Sequence, residues 1–473
     1  MTMIGCNPMR QSPAPFHTPV RVRLLPGLGR CHISSSGKFA LERSSDPSPL
    51  AAYDDVSNSL AAERLFALSE KAQEAARRAE VDRLDYLILV PTLRCNLSCS
   101  YCQVSRAPVD QPGFDWSEET LGHVIRLLET LDTPSIKIEF QGGEPTLRLD
   151  LVEAVIAACD RFEEKQFIIC TNLSNLEPRL MALLDNPDVY VSTSLDGVAA
   201  VHTAQRTGSM ARTGAFLDNC RAILDEYGAG KISALPTIDQ SSPPDPDELI
   251  DAYLALGQAS IFLRPINYQG FARKRHAASN ADHQEWWDYY DRFVARIIAR
   301  NYADRSVVIE ENYLTLCLAR IFQAGHDRHV DLRNPNPVGA DYIVIDHDGT
   351  VYPTDEARML SRSGVIDLAI GHVASGWDTP ERKLLDRHST NFGDPACDNC
   401  AYQPFCGRDL IDDLSRYGSI AKPRQETFFC QKHLHMFDLA MRLIYDPEPA
   451  VRYSLAKWMH LAGDRIPDML EIT

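Results

Sequence analysis

The densest chemistry in this chain sits at residues 94–106, RCNLSCSYCQVSR, where Cys95, Cys99 and Cys102 fall within one turn-sized stretch. Three thiols so close together suggest a metal or cluster. A tetrahedral zinc or a fully ligated iron–sulfur cluster takes four protein ligands. The fourth is therefore elsewhere in the chain, or its place is left open by design. A second group lies far downstream, at Cys397, Cys400, Cys406 and Cys430, and supplies four thiols by itself. The other six of the 13 cysteines, at 6, 31, 159, 170, 220 and 317, are dispersed and read by default as small core residues. In a chain of 473 residues, clustered thiols point to metal rather than to a disulfide scaffold.

Composition narrows the class. A hydrophobic content of 44% with 24% charged residues is that of a globular protein able to bury a core, and the length suggests two or three domains. A formal charge of −17 argues against a nucleic-acid partner, which calls for a basic surface. The basic run RKRH at 273–276 reads as a solvated loop. No apolar run is long enough to cross a bilayer, so no membrane partner is expected. The N-terminus carries arginines and no acid before Glu42, but its prolines spoil an amphipathic targeting helix, and a cytoplasmic location is expected.

The elements that must position these thiols alternate in type. Apolar runs at 85–92, 135–142, 166–172, 189–197, 231–239 and 260–267 read as buried parallel strands. Helical patterns lie between them: 117–131 with Ser117 as its cap, 151–162, a helix closed by Pro187, and 216–228 ending on Gly228. Six such units predict an α/β fold, a partial (β/α)6 TIM-like barrel, with its chemistry at the C-terminal ends of the strands. The first three cysteines follow the first strand. The sequence at 342–357 predicts a hairpin turning at Asp348-Gly349, and 391–409 is irregular and cysteine-rich. Four parts are expected: residues 1–80, a small N-terminal β and helical element with a linker at 44–55 and a surface helix at 58–80; 81–310, the barrel; 311–440, a small cysteine-rich domain separate from the barrel; and 441–473, a helical tail.

The C-x3-C-x2-C loop after a strand, with QGGEP (141–145), TN (171–172), SLDG (194–197) and His202-x3-Arg206 at later strand ends, resembles the radical S-adenosylmethionine (SAM) family. The resemblance spans roughly residues 85–435. It implies a [4Fe–4S] cluster on Cys95, Cys99 and Cys102, whose open iron takes SAM and yields a 5′-deoxyadenosyl radical. It also implies that Tyr101 packs on adenine, that Gly142, Gly143 and Glu144 receive the methionine amine, that Ser194 contacts ribose and that Arg206 meets the carboxylate.

The C-terminal thiols resemble the SPASM extension of peptide-modifying members, short of two ligands. Thr354 and Leu410 stand where that pattern has cysteines, so one auxiliary [4Fe–4S] cluster on Cys397, Cys400, Cys406 and Cys430 is implied; four-cysteine zinc is the competing reading. Cys317 is either a remnant of the lost site or core. Asp355 holds the position of the base in sulfatase-maturing relatives, with Glu356 and His347 as competitors. LVPTLRCNLSCSYCQVSRA (89–107) and VYPTDEAR (351–358) are most similar to the His-Xaa-Ser system maturases. That subgroup implies a precursor peptide as substrate and an electron donor such as a flavodoxin or ferredoxin. The alternatives are a sulfatase-type side-chain maturase and a non-catalytic, zinc- or cluster-stabilised binding protein. Residues 1–80 are read as either a peptide-docking module or a lid on the barrel, and 16–43 would suit an extended leader peptide adding to a sheet edge.

Overall fold

The computed structural model describes residues 20–43, 83–276, 284–322 and 332–472; the expected linker at 44–55 and the expected surface helix at 58–80 lie outside them. The first strands, β1 (Val20–Leu25), β2 (Gly29–Ser34) and β3 (Phe39–Glu42), form an antiparallel meander. The barrel opens with β4 (Tyr86–Thr92), buried from its second residue to its last because LILVPT has apolar neighbours on both faces. It continues through β5 (Ser135–Gly142), β6 (Glu164–Cys170), β7 (Val189–Ser194) and β8 (Ile232–Leu235), each parallel to the one before. Parallel neighbours require crossovers, and helices supply them. Glu118–Thr130 starts where the Ser117 hydroxyl accepts the Thr120 N–H, and Met210–Tyr227 ends where the Gly228 N–H meets the Leu224 carbonyl.

The sixth expected strand departs from the pattern. Only Ser260–Ile261 is extended enough to pair, and it pairs with Glu310–Glu311 outside the main sheet. Residues 264–266 touch the barrel through one bridge, Ile238 to Pro265, flanked by two hydrogen bonds of 3.0 Å. The bridge uses the Arg264 carbonyl and the Ile266 N–H, not the nitrogen of Pro265, and the pairing goes no further. The barrel stays open on that side.

The hairpin was expected in a separate domain, yet it extends the main sheet. Its first strand, β9 (Tyr342–Ile345), lies parallel to β4 with Tyr342 opposite Tyr86, and β10 (Thr350–Tyr352) and β11 (Gly371–His372) follow antiparallel. The sheet order is β8-β7-β6-β5-β4-β9-β10-β11. The expected helical tail contains Pro449–Trp458 and then a strand, β12 (Glu471–Ile472), which pairs with Leu41–Glu42 of β3. Leu25, Ile33 and Phe39 of the N-terminal sheet share one apolar core with Leu87 and Phe140 of the barrel and with Phe437 and Met441 downstream. Among the described residues, no helix is long and apolar enough to cross a membrane.

A candidate active-site cavity and a second thiol cluster

The chain leaving β4 is anchored before it reaches its first cysteine. Arg94 grips Asp115 at 2.8 and 2.5 Å, the Thr92 hydroxyl donates to the same carboxylate at 2.6 Å, and Arg148 joins at 3.1 Å. Burial pushes Asp115 up, but these hydrogen bonds outweigh it and hold its carboxyl below the usual range. Beyond this anchor the cysteine loop is pinned residue by residue. Ser100 N–H donates to the Gln205 carbonyl at 2.9 Å, and Phe271 N–H donates to the Cys102 carbonyl at 2.9 Å. Two donors face the Cys95 sulfur, the Leu97 N–H at 3.4 Å and the Asn172 amide at 3.8 Å. Burial pushes the Cys95 thiol up to about 12, so holding it as a thiolate takes a bound cation.

The end of β5 fits against this loop only because it carries two glycines. A Cβ at Gly142 would stand 2.2 Å from the Thr92 carbonyl oxygen, and one at Gly143 would stand 2.3 Å from that of Arg94. Gly142 also has a φ of +124°, which disfavours any other residue. Glu144 behaves differently from the expectation. Its carboxylate is buried, accepting from Thr146 at 2.7 Å and from the Asn172 N–H at 2.8 Å. It braces the end of β6 rather than facing a ligand.

The three cysteines, Tyr101, the two glycines, Ser194 and Arg206 line a single cavity of about 440 Å³. Tyr101 is the hub of a buried network that its sequence position did not reveal. Its hydroxyl donates to Asp196 at 2.6 Å and accepts from Arg206 at 2.6 Å, and Asp196 also takes the Thr237 N–H at 3.1 Å. Arg206 sits in a π-helical turn, Thr203–Thr207, a local irregularity that often marks functional sites. His202, from the same motif, is a core residue stacked on Phe216 at 4.4 Å, with its pKa pushed down to about 3 by burial and by Arg206.

The opposite wall comes from β5, β6 and the region after β10. Glu139 accepts from Tyr86 at 2.7 Å, from Gln141 at 2.6 Å and from the Cys170 thiol at 3.2 Å. Cys170 is therefore a cavity residue, not the buried core residue expected of it; Cys31, Cys159, Cys220 and Cys317 are buried in the core. Asp355 also faces the cavity, at the start of the helix Asp355–Arg362. Its carboxylate accepts from fully buried Arg358 at 2.8 and 2.7 Å, and burial pushes its pKa up against that pull. Glu356 shares the wall, whereas His347 stacks on Phe114 at 5.5 Å, away from the lining. Thr354 and Leu410 line the cavity as well, and Thr354 caps the Asp355 helix by accepting the Ala357 N–H at 3.0 Å.

The four downstream thiols gather at another place. Cys397 lies in the short helix Pro395–Asp398, Cys400 and Cys406 lie on the irregular chain after it, and Cys430 lies in the first turn of Phe428–Ile444. Burial pushes all four thiols up, and Arg424 opposes this at Cys397, Cys406 and Cys430. The N-terminal sheet reaches over them. Arg23 of β1 holds Asp438 at 2.8 and 2.5 Å and stands 5.7 Å from the centre of the Tyr402 ring, while Arg21 donates to Gln403 at 3.2 Å. Tyr402 and Gln403 lie between Cys400 and Cys406, so β1 clasps the thiol-bearing loop itself.

Comparison with known proteins places this geometry. Residues 89–263 match the Radical SAM superfamily. An uncharacterized protein of Methanocaldococcus jannaschii is 34% identical over 121 residues, which is 25% of this chain and 41% of that protein. The GTP 3′,8-cyclase of Mycobacterium ulcerans is 30% identical over 162 residues, covering 33% of this chain and 41% of the cyclase. The chain thus spans about two-fifths of the length of these curated relatives. The fold is shared more widely. Native anSMEcpe with bound AdoMet superposes with a TM-score of 0.59 over 75% of this chain and 97% of its own, at 16% identity. The same protein with AdoMet and the Cp18Cys peptide gives 0.59 over 76% and 97%, at 17% identity.

Proposed function

We propose that this chain is a radical SAM enzyme that modifies a ribosomally made precursor peptide, of the kind that serves His-Xaa-Ser systems. The observation that carries the reading is convergence: three thiols, the Gly142–Gly143 strand end, the Tyr101–Arg206 network and Asp355 share one cavity wall system. The residues suit a cluster with one open position. Three sulfurs face the cavity, N–H donors approach Cys95, and no fourth thiol belongs to that loop. Held by Cys95, Cys99 and Cys102, such a cluster would supply the one-electron chemistry that cleaves bound SAM and starts hydrogen-atom abstraction.

The rest is the work of the chain. Cys95, Cys99 and Cys102 would hold the cluster. Gly142 and Gly143 offer backbone groups to the methionine amine, a role that the inward turn of Glu144 leaves to them alone. Tyr101 would pack on the adenine, Ser194 would meet the ribose and Arg206 the carboxylate. Asp355, held in place by Arg358, would accept a proton from the substrate. A flavodoxin or ferredoxin is the proposed electron donor.

Cys397, Cys400, Cys406 and Cys430 would hold one auxiliary [4Fe–4S] cluster. Four-cysteine zinc is the competing reading, and the iron and zinc content of the reconstituted protein tells the two apart. The strands β1 to β3 and β12 would serve the auxiliary site, since they form the sheet whose first strand clasps its loop.

The anSMEcpe likeness, with its bound peptide, agrees with a peptide substrate and favours a side-chain maturase as the second reading. Thr354 and Leu410 weigh against that reading because they remove the ligands of a further cluster. Anaerobic reconstitution tests the proposal. The protein should turn brown, hold about eight irons per chain and form 5′-deoxyadenosine with dithionite. Co-expression with a short repeat-bearing peptide encoded beside it should shift that peptide's mass or its deuterium content. Iron-loaded protein that leaves SAM intact would end the reading.

A further inference from the structure

Arg206 reaches Tyr101 from a rare kind of backbone turn. Residues 203–207 form a π-turn, closed where the Gly208 N–H donates to the Thr203 carbonyl at 2.9 Å, five residues back. Gly208 ends it with a φ of +70°, in the left-handed region. Relaxing such a turn by one residue into an α-helix would carry the side chains that follow roughly 100° around the axis. The surrounding chain must therefore hold the turn open.

Three hydroxyls bridge it. The Thr203 Oγ1 lies 2.7 Å from the Thr213 Oγ1, which lies 2.6 Å from the Thr207 Oγ1. Thr203 also donates to the Met210 sulfur at 3.2 Å. Each hydroxyl has one proton to give, and donation from Thr207 to Thr213 to Thr203 to Met210 serves all three contacts. The Ser209 carbonyl, 3.1 Å from the Thr207 hydroxyl, is the alternative acceptor. Thr203 and Thr207 are the two ends of the π-turn, whereas Thr213 belongs to the next helix, Met210–Tyr227, and is 1% exposed. Thr213 thus spans the turn from outside it.

The turn in turn has two holds on the cavity. Arg206 donates to the Tyr101 hydroxyl at 2.6 Å, and the Gln205 carbonyl accepts the Ser100 N–H, between Cys99 and Cys102, at 2.9 Å. A shift of one residue along the turn would break both. Thr213 lies outside the cavity lining, so what it does there it does through the turn. We infer that Thr213 is the positioning residue for Arg206: its hydroxyl holds the π-turn that aims the guanidinium at Tyr101 and at the carboxylate of SAM. The inference rests on the proposed function for the identity of the ligand, and the experiment keeps the two apart.

The test uses the reconstituted full chain, with SAM as substrate and S-adenosylhomocysteine as a binding probe. Thr213→Val keeps the side chain's shape and removes its hydroxyl. In dithionite-driven 5′-deoxyadenosine formation it should raise the KM for SAM about tenfold, the scale of a misplaced charge-assisted hydrogen bond, with kcat little changed. In calorimetry, affinity for S-adenosylhomocysteine should fall by a similar factor, and iron per chain should not change. Thr213→Ser, which keeps the hydroxyl, should return both values to those of the parent. In hydrogen exchange without ligand, Thr213→Val should speed exchange of the Ser100 N–H, whose acceptor lies in the turn.

Parental KM and parental affinity in Thr213→Val overturn the inference. So does a fall in iron content and melting temperature that Thr213→Ser fails to reverse, which would leave Thr213 a packing residue. An iron-loaded parent that binds S-adenosylhomocysteine but leaves SAM intact overturns the proposed function instead, and the affinities still decide Thr213. If the parent binds neither, unchanged exchange at Ser100 overturns the role of Thr213, and faster exchange reversed by Thr213→Ser upholds it.

Discussion

The three-thiol loop and the four-thiol cluster are made of the same residue type but are held in different ways. The loop at 95–102 is fixed by its neighbours along a parallel sheet, and its sulfurs look into a cavity that a small molecule can enter. The cluster at 397–430 is fixed by distant chain: β1 clasps its loop across 382 residues at Arg21–Gln403 and 415 residues at Arg23–Asp438. One site has donors aimed at a sulfur and a wall left open. The other has its full complement of four thiols and arginines on its flanks. Openness suits a site where a substrate-like cofactor must come and go, and enclosure suits one that is only loaded once.

The comparison can be broken at four points. Cys99→Ala should have the largest effect and abolish 5′-deoxyadenosine formation, read by chromatography; undiminished cleavage would remove the open site from the chemistry. Cys406→Ala should lower iron by about four per chain and stop peptide modification while some SAM cleavage persists. Unchanged iron would show that the enclosed site binds none. Gly143→Ala drives a Cβ to within 2.3 Å of the Arg94 carbonyl oxygen, and overpacking of that kind should cost about 2–3 kcal/mol. A lowered melting temperature together with reduced iron retention by the loop checks this. Arg23→Gln should be mildest, costing about 0.5–1 kcal/mol for a partly exposed ion pair. Its informative readout is the midpoint potential of the C-terminal cluster in a Cys99→Ala background. That potential should move negative once a nearby positive charge is gone, and an unmoved value would leave the clasp a purely mechanical part.

Much of the open site was legible because its parts are local. A cysteine triplet after a strand, a Gly-Gly pair at the next strand end and a His-x3-Arg segment each carry their meaning within a few residues. What escaped depends on long-range packing. Asp196 stood only as one letter of the SLDG segment, yet it anchors Tyr101. Cys170 looked like core, but β6 ends at the cavity, so its last side chain reaches the wall. Glu144 was expected to face a ligand, but a buried carboxylate is drawn to whichever N–H groups are nearest, here those of Asn172 and Thr146. The sixth strand shrinks to Ser260–Ile261 and a single bridge at Pro265, which the apolar run at 260–267 did not announce. The N-terminal sheet gave no hint of its partner because nothing in β1 names Asp438.

That clasp has a consequence for how the protein is made. Ribosomes extend chains at roughly 5–20 residues per second, so Arg21 leaves the tunnel some 20–80 seconds before Gln403, its partner 382 residues on. The Leu41–Glu42 edge waits longer still for Glu471–Ile472. During that interval β1 has nothing to hold, and the sheet that clasps the cysteine-rich loop is completed only after the loop itself has been made.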